Sequence, residues 1–124
     1  MDIIFIIGRI LFGLFFLVTG INHFMKLNNM VGYARMKRII FPTFSVIVSG
    51  LMLIVWGIGI IFWTLPIIDT VTSSIILIVF LVLSSLTMHK FWTEEGEAKM
   101  ADMINFMKNM ALIGALLIII SFLI

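Results

Sequence analysis

The sequence predicts an all-α membrane protein: a bundle of four transmembrane helices, with short interfacial helical segments in loops 1 and 3. Three observations predict it. Four apolar blocks, residues 3–24, 42–63, 71–88 and 106–124, fill most of the 124 residues. About 20 helical residues cross a hydrocarbon core of roughly 30 Å, and each block is near that length. The composition is 63% hydrophobic and 11% charged, against about 25% charged in ordinary soluble domains. Almost every charge falls between the blocks, and a soluble chain of this size has no core large enough to bury all four. Residues 1–124 therefore read as one transmembrane domain.

The first block is too long, and too polar at its end, for a cleaved signal peptide, so it is expected to be a retained helix. Arg9, Gly13, Phe16, Gly20 and His23 are spaced by four, three, four and three residues, which returns to one helical face. The two glycines on that face predict close approach by another helix. Residues 26–40 follow, with Met30, Val31, Tyr33, Ala34, Met36 and Lys37 in a pattern suited to a short amphipathic helix in the interface. Pro42 opens the second spanning helix, where a first-turn proline sacrifices no hydrogen bond. Gly50 and Gly57 mark one side of it, and Trp63, Thr64, Leu65 and Pro66 are expected to end it.

Asp69 or Thr70 is placed to cap the third helix. The hydroxyls of Ser73, Ser74, Ser84, Ser85 and Thr87 are expected to bond back to their own helix. The next gap, residues 89–105, carries Glu94, Glu95, Glu97, Lys99 and Asp102 and reads as a helical lead-in to the fourth helix, with Gly96 as its break.

Loops 1 and 3 share one side of the membrane and hold Lys26, Arg35, Lys37, Arg38, Lys90, Lys99 and Lys108, whereas the other side holds no lysine or arginine once Arg9 is set aside as intramembrane. The positive-inside rule then places loops 1 and 3 in the cytoplasm and both termini outside. A net charge of +2 implies no nucleic-acid partner, and the absence of cysteine removes thiolate, disulfide and cysteine-ligated cluster chemistry.

The polar residues inside or beside the spans are the candidate site. Arg9 either snorkels to head groups or faces the bundle and holds an acceptor, such as a carbonyl, a carboxylate or a bound ligand, with Asp69 or Asp2 as the candidate carboxylate. At the opposite side, helix order brings His23, His89, Trp92, Lys108 and Asn109 to one depth, where they are expected to converge on a shared pocket or groove. Lys108 and Asn109 stand close to an apolar run, so their side chains are expected to be held within the protein. The acceptor for Lys108 is either a loop carboxylate such as Glu94 or Asp102, or the oxygen of a ligand. Two histidines without a third clustered ligand give no metal site, and the ten methionines are scattered.

The run Gly8-Arg9-Ile10-Leu11-Phe12-Gly13-Leu14-Phe15-Phe16-Leu17-Val18-Thr19-Gly20-Ile21-Asn22-His23-Phe24 resembles the first helix of the DoxX family of small membrane proteins. Thr87-Met88-His89-Lys90-Phe91-Trp92, the stretch Phe106–Gly114 containing Lys108 and Asn109, and the glycine-marked second helix are similar to it as well. Relatives often carry an acid early in the second helix, where this chain has Val46 and Ser49. The resemblance implies a four-helix bundle in a prokaryotic cell membrane and an association with redox chemistry. Its implied function is a membrane component that binds a quinone or another lipid-soluble molecule, with electrons coming from a redox partner protein because no autonomous catalytic or cofactor motif is present. The alternatives are a non-enzymatic assembly factor or partner subunit, and a small-molecule or lipid carrier working as a homo-oligomer. Membrane lipids are the surrounding partners in every case.

Overall fold

The computed structural model describes residues 2–62 and 69–124. It contains helices α1 (Ile3–Met25), α2 (Leu27–Met36), α3 (Pro42–Ile61), α4 (Thr70–Thr87) and α5 (Gly96–Leu123), with a short 3₁₀ turn at Phe91–Thr93 before α5. Helices α1, α3, α4 and α5 are each long and apolar enough to cross a membrane. The protein is thus a membrane protein built as a four-helix bundle, with α2 as a fifth, shorter helix. The expected end of the second spanning helix, residues 63–66, lies outside the described residues. Elsewhere the expected limits hold to within one or two residues, except for the last helix. That helix starts at Gly96, ten residues before the apolar block begins, because the polar lead-in is continuous with the span. Gly96 is its first residue and has a φ of +66°, a left-handed conformation that glycine adopts without steric cost.

Side-chain oxygens start two of the helices. The Asp2 carboxylate accepts from the Ile4 amide at 3.1 Å, and Asp69 accepts from the Thr72 amide at 3.0 Å and the Thr72 hydroxyl at 2.8 Å. Both supply an acceptor to amides that have no partner within their helix. The bonds from Thr72 hold the Asp69 carboxyl below its ordinary range.

In the bundle, α1 packs on α3, α3 on α4 and α4 on α5, and α2 lies against α3. The termini and the α3–α4 connection form one end, here the terminal end. Helix α2 and the α4–α5 connection form the other, the loop end. The core consists of Phe16, Leu53, Ile60, Leu77, Leu81 and Leu116, drawn from all four long helices. A second cluster of Val31, Ala34 and Val46 seats α2 on α3.

The α1–α3 contact is glycine on glycine. A Cβ on Gly20 would stand 2.7 Å from the Gly50 carbonyl oxygen and 2.9 Å from the Ile54 amide. One on Gly13 would stand 2.9 Å from the Gly57 carbonyl oxygen. Small residues let membrane helices approach to backbone contact, where dispersion attraction is strongest. By contrast, among the described residues the backbones of α1 and α5 make no close approach. Between them lies a crevice of about 260 Å³, lined by Phe5, Gly8, Arg9, Phe12, Ala115, Ile118 and Ile119.

Gly20→Ala drives a methyl group into backbone that cannot yield, so it should cost about 1–3 kcal/mol, the usual range for overpacking. Thermal unfolding in mild detergent checks this. Gly114→Ala is the control, because its Cβ meets nothing within 4 Å, and its unfolding temperature should not fall.

Candidate functional site

Three polar arrangements interrupt the apolar bundle. The first is at the terminal end, where Arg9 is 2% exposed. Its Nε donates to the Ile60 carbonyl at 2.9 Å, and its Nη2 donates to the Ile61 carbonyl at 3.2 Å and to Thr70 Oγ1 at 2.8 Å. Thr70 in turn donates to the Gly59 carbonyl at 3.0 Å. The last carbonyls of a helix have no partner within it and carry partial negative charge. Arg9 of α1 therefore caps the C-terminus of α3 from outside, and Thr70 brings α4 to the same point. Arg9 faces the bundle rather than snorkelling. Its described acceptors are carbonyl and hydroxyl oxygens, while Asp69 and Asp2, expected as its carboxylates, cap helices instead.

The second arrangement is at the loop end and centres on Asp102 of α5, 2% exposed. Its Oδ1 accepts from the Tyr33 hydroxyl at 2.7 Å and lies 3.1 Å from His89 Nδ1. Its Oδ2 accepts from the Lys37 ammonium, which also pairs with Glu94. One carboxylate thus joins α2, the residues after α4, and α5. Burial alone would lower the Lys37 ammonium, but its hydrogen bonds to Asp102 and Glu94 outweigh this and hold it above its ordinary range. Burial, followed by the hydrogen bond to Asp102 and the charge of that carboxylate, pushes the Tyr33 phenol up to about 12. Among the described residues, no three His, Asp or Glu side chains are grouped so as to hold a metal ion.

The third arrangement is Lys108, an exposed residue of α5 rather than one held within the protein as expected, whose Nζ lies 5.8 Å from the centre of the Phe15 ring of α1. Among the described residues it has no hydrogen-bond acceptor and no ion pair. The two carboxylates expected to hold it, Glu94 and Asp102, hold Lys37. The positions Lys108, Ala115, Ile118 and Phe122 follow one stripe of α5, and Phe5, Gly8, Phe12 and Phe15 follow one stripe of α1. The crevice lies between these stripes. Phe5 stacks on Phe122 at 4.3 Å at its terminal end; Lys108 and Phe15 lie further along the same stripes, beyond the residues that line it.

The five residues expected to share one pocket are distributed over several surroundings. His89 is in the Asp102 cluster, within electrostatic reach of Lys108. Asn109, 3% exposed, donates to Ser85 Oγ at 3.1 Å and binds α5 to α4. Trp92, 51% exposed, makes edge contacts with Phe91 and Phe106. His23 places Nδ1 2.8 Å from the Thr19 carbonyl of its own helix, and its Cβ is the nearest atom to the position a Gly50 side chain would take. No hydrogen bond or ring contact among the described residues links these five to one another. Of the Asp102 cluster only His89 is among those five; Glu94 and Asp102 were expected only as acceptors for Lys108, and Tyr33 and Lys37 only as part of an amphipathic helix. Spacing could have exposed its centre: Asp102, Asn109 and Leu116 are seven apart and all buried, so Asp102 shares the bundle-facing side of α5.

A family model described as HR-like lesion-inducing matches residues 1–122. No curated protein and no solved structure matches the chain. The match overturns the DoxX resemblance, since it belongs to a different family. The redox association and the quinone-binding role implied by that resemblance fall with it. Glycine- and phenylalanine-rich spanning helices resemble one another across unrelated families, and this similarity carried the DoxX assignment.

Tyr33 is the only tyrosine, so its ionisation can be followed alone by ultraviolet absorbance. The folded protein should titrate near pH 12, against about 10 for an unfolded tyrosine. Asp102→Asn should bring the midpoint down. The raised value means that this phenol contributes its stability fully below about pH 10 and loses it as the pH rises through about 12.

Proposed function

Since the chain belongs to the HR-like lesion-inducing family, we propose that it is an integral membrane protein that holds one anionic amphiphile between α1 and α5. Lys108 meets the phosphate or carboxylate, and the acyl chain lies along the crevice. The family description names an outcome and no reaction, so the chemistry of the site must carry the reading. One observation carries it: the exposed ammonium of Lys108, beside the Phe15 ring of α1, lacks an acceptor among the described residues. It stands fourteen residues before Phe122, about 20 Å along the axis. A lysine at the start of an apolar span extends its ammonium toward the head-group level, where an anionic group meets it with a charge-assisted hydrogen bond.

The crevice suits the rest of such a molecule. Its walls are apolar apart from Arg9, whose guanidinium is engaged by α3 and α4. Gly8, one of the lining residues, would meet nothing within 4 Å if it carried a Cβ. The space is open to the side, so an acyl chain enters from the bilayer without unfolding the bundle.

Purification in mild detergent followed by native mass spectrometry tests this reading. The expected result is one bound anionic amphiphile, and its mass distinguishes a phospholipid from a free fatty acid. Lys108→Met keeps the length and apolar character of the side chain and should abolish the adduct while the protein stays folded. Gly8→Leu should do the same by filling the crevice with Lys108 intact. Retention of the same adduct at the same stoichiometry in both variants contradicts the proposal.

The basic loop end is further proposed to face the cytoplasm. Single cysteines replacing Asn29 and Ile124, both exposed, report this in a chain without native cysteine. An impermeant thiol reagent on intact cells should label position 124 and spare position 29, and the reverse pattern contradicts the orientation.

A further inference from the structure

Helix α2 is sorted by charge. Its inward cation, Lys37, takes both neighbouring carboxylates, Asp102 and Glu94. Lys26, Arg35 and Arg38 are exposed and have no ion pair among the described residues. The exposed acids at this end, Glu95 and Glu97, belong to the start of α5 rather than to α2. Around the three free cations stand bulky apolar side chains with nothing over them: Met25 is 76% exposed, Met36 79%, Ile40 77% and Phe41 73%. Cations interleaved with exposed apolar groups, on a helix at the end of a membrane bundle, match a boundary where head groups lie above acyl chains.

The end of α2 adds an independent observation. The Ile39 amide donates to the Ala34 carbonyl at 3.1 Å, and the Arg38 amide donates to the Arg35 carbonyl at 3.0 Å. This pair of bonds is the Schellman arrangement, in which the residue just past the helix turns left-handed and is usually glycine. Here it is Arg38, with a φ of +59°. A side chain disfavours that backbone, so glycine would serve the fold better. Strain of this sort, where a better residue is available, points to a role for the side chain itself.

We infer that the exposed side of the segment from Lys26 to Phe41, α2 and its two flanks, binds an acidic phospholipid surface, with Lys26, Arg35 and Arg38 as its cationic contacts and Met36, Ile40 and Phe41 inserted beside them. The cluster formed by Tyr33, Lys37, Glu94 and Asp102 keeps the helix seated and its one inward cation neutralised, so the outward cations remain for the bilayer. This surface is separate from the α1–α5 crevice and does not depend on Lys108.

The protein reconstituted in bilayers of phosphatidylcholine and phosphatidylglycerol, with spin-labelled versions of each lipid, gives the relative affinity of its boundary for the acidic lipid. The expected result is a several-fold preference for phosphatidylglycerol that falls toward one as salt is raised. Arg38→Gly should weaken the preference, by up to about fivefold for a cation at the head-group surface, while leaving the unfolding temperature unchanged or higher. The Lys26→Gln, Arg35→Gln, Arg38→Gly triple variant should lose the preference. An undiminished preference in the triple variant overturns the inference. A lower unfolding temperature for Arg38→Gly overturns it as well, because Arg38 would then serve the fold.

Discussion

The contact of α1 with α3 governs the rest of the structure. Gly13 and Gly20 of α1 meet Gly57 and Gly50 of α3 at distances that leave no room for a Cβ. Within a bilayer the lipid tails are as apolar as leucine, so close packing replaces the hydrophobic effect as the force between helices. Helix α5 follows α4, and its backbone makes no close approach to α1 among the described residues. The crevice beside Gly8 and Ala115 lies between α1 and α5, away from the glycine seam, and Arg9, capping α3 from α1, fixes the α1–α3 pairing at the terminal end.

Within this frame each intramembrane or boundary charge has a different environment. Arg9 is neutralised by helix-end carbonyls and a hydroxyl, which need no counter-charge. Asp102 is met by a phenol, an imidazole and an ammonium. Breaking such a buried set by removing one partner commonly costs about 3–5 kcal/mol, because a charge is left uncompensated. Asn109 and Ser85 satisfy each other. Lys108 alone among these has an aromatic ring for company and no described acceptor. The contrast gives Lys108 its meaning, since Arg9 and Asp102 are held by protein groups while Lys108 is left exposed beside α1.

Much of the architecture was legible in the sequence because the bilayer imposes it. Span length and charge exclusion located four helices, and the spacing of Gly13 and Gly20 located the face that α3 occupies. Of the two residues expected to cap α4, Asp69 or Thr70, it is Asp69 that does so. Ion pairing was not legible, because it depends on which loops meet. Glu94 and Asp102 stand nearer to Lys108 in sequence, yet they pair with Lys37, which lies more than fifty residues earlier. For Arg9 a carbonyl, a carboxylate or a ligand was expected as acceptor, and which carbonyls serve became visible only once the end of α3 was in place. The polar stretch before residue 106 was expected as a helical lead-in broken at Gly96, and it forms the first part of α5, because a helix can leave the membrane without ending. The family was misread from features that any glycine-rich spanning helix shares.

The most direct test is an experimental structure of the protein in lipid, at a resolution that shows ordered acyl chains. The account predicts elongated density between α1 and α5, ending in an anionic group within hydrogen-bonding distance of Lys108 Nζ. A structure in which α5 closes against α1, or in which Lys108 donates to a protein carboxylate or carbonyl, contradicts it.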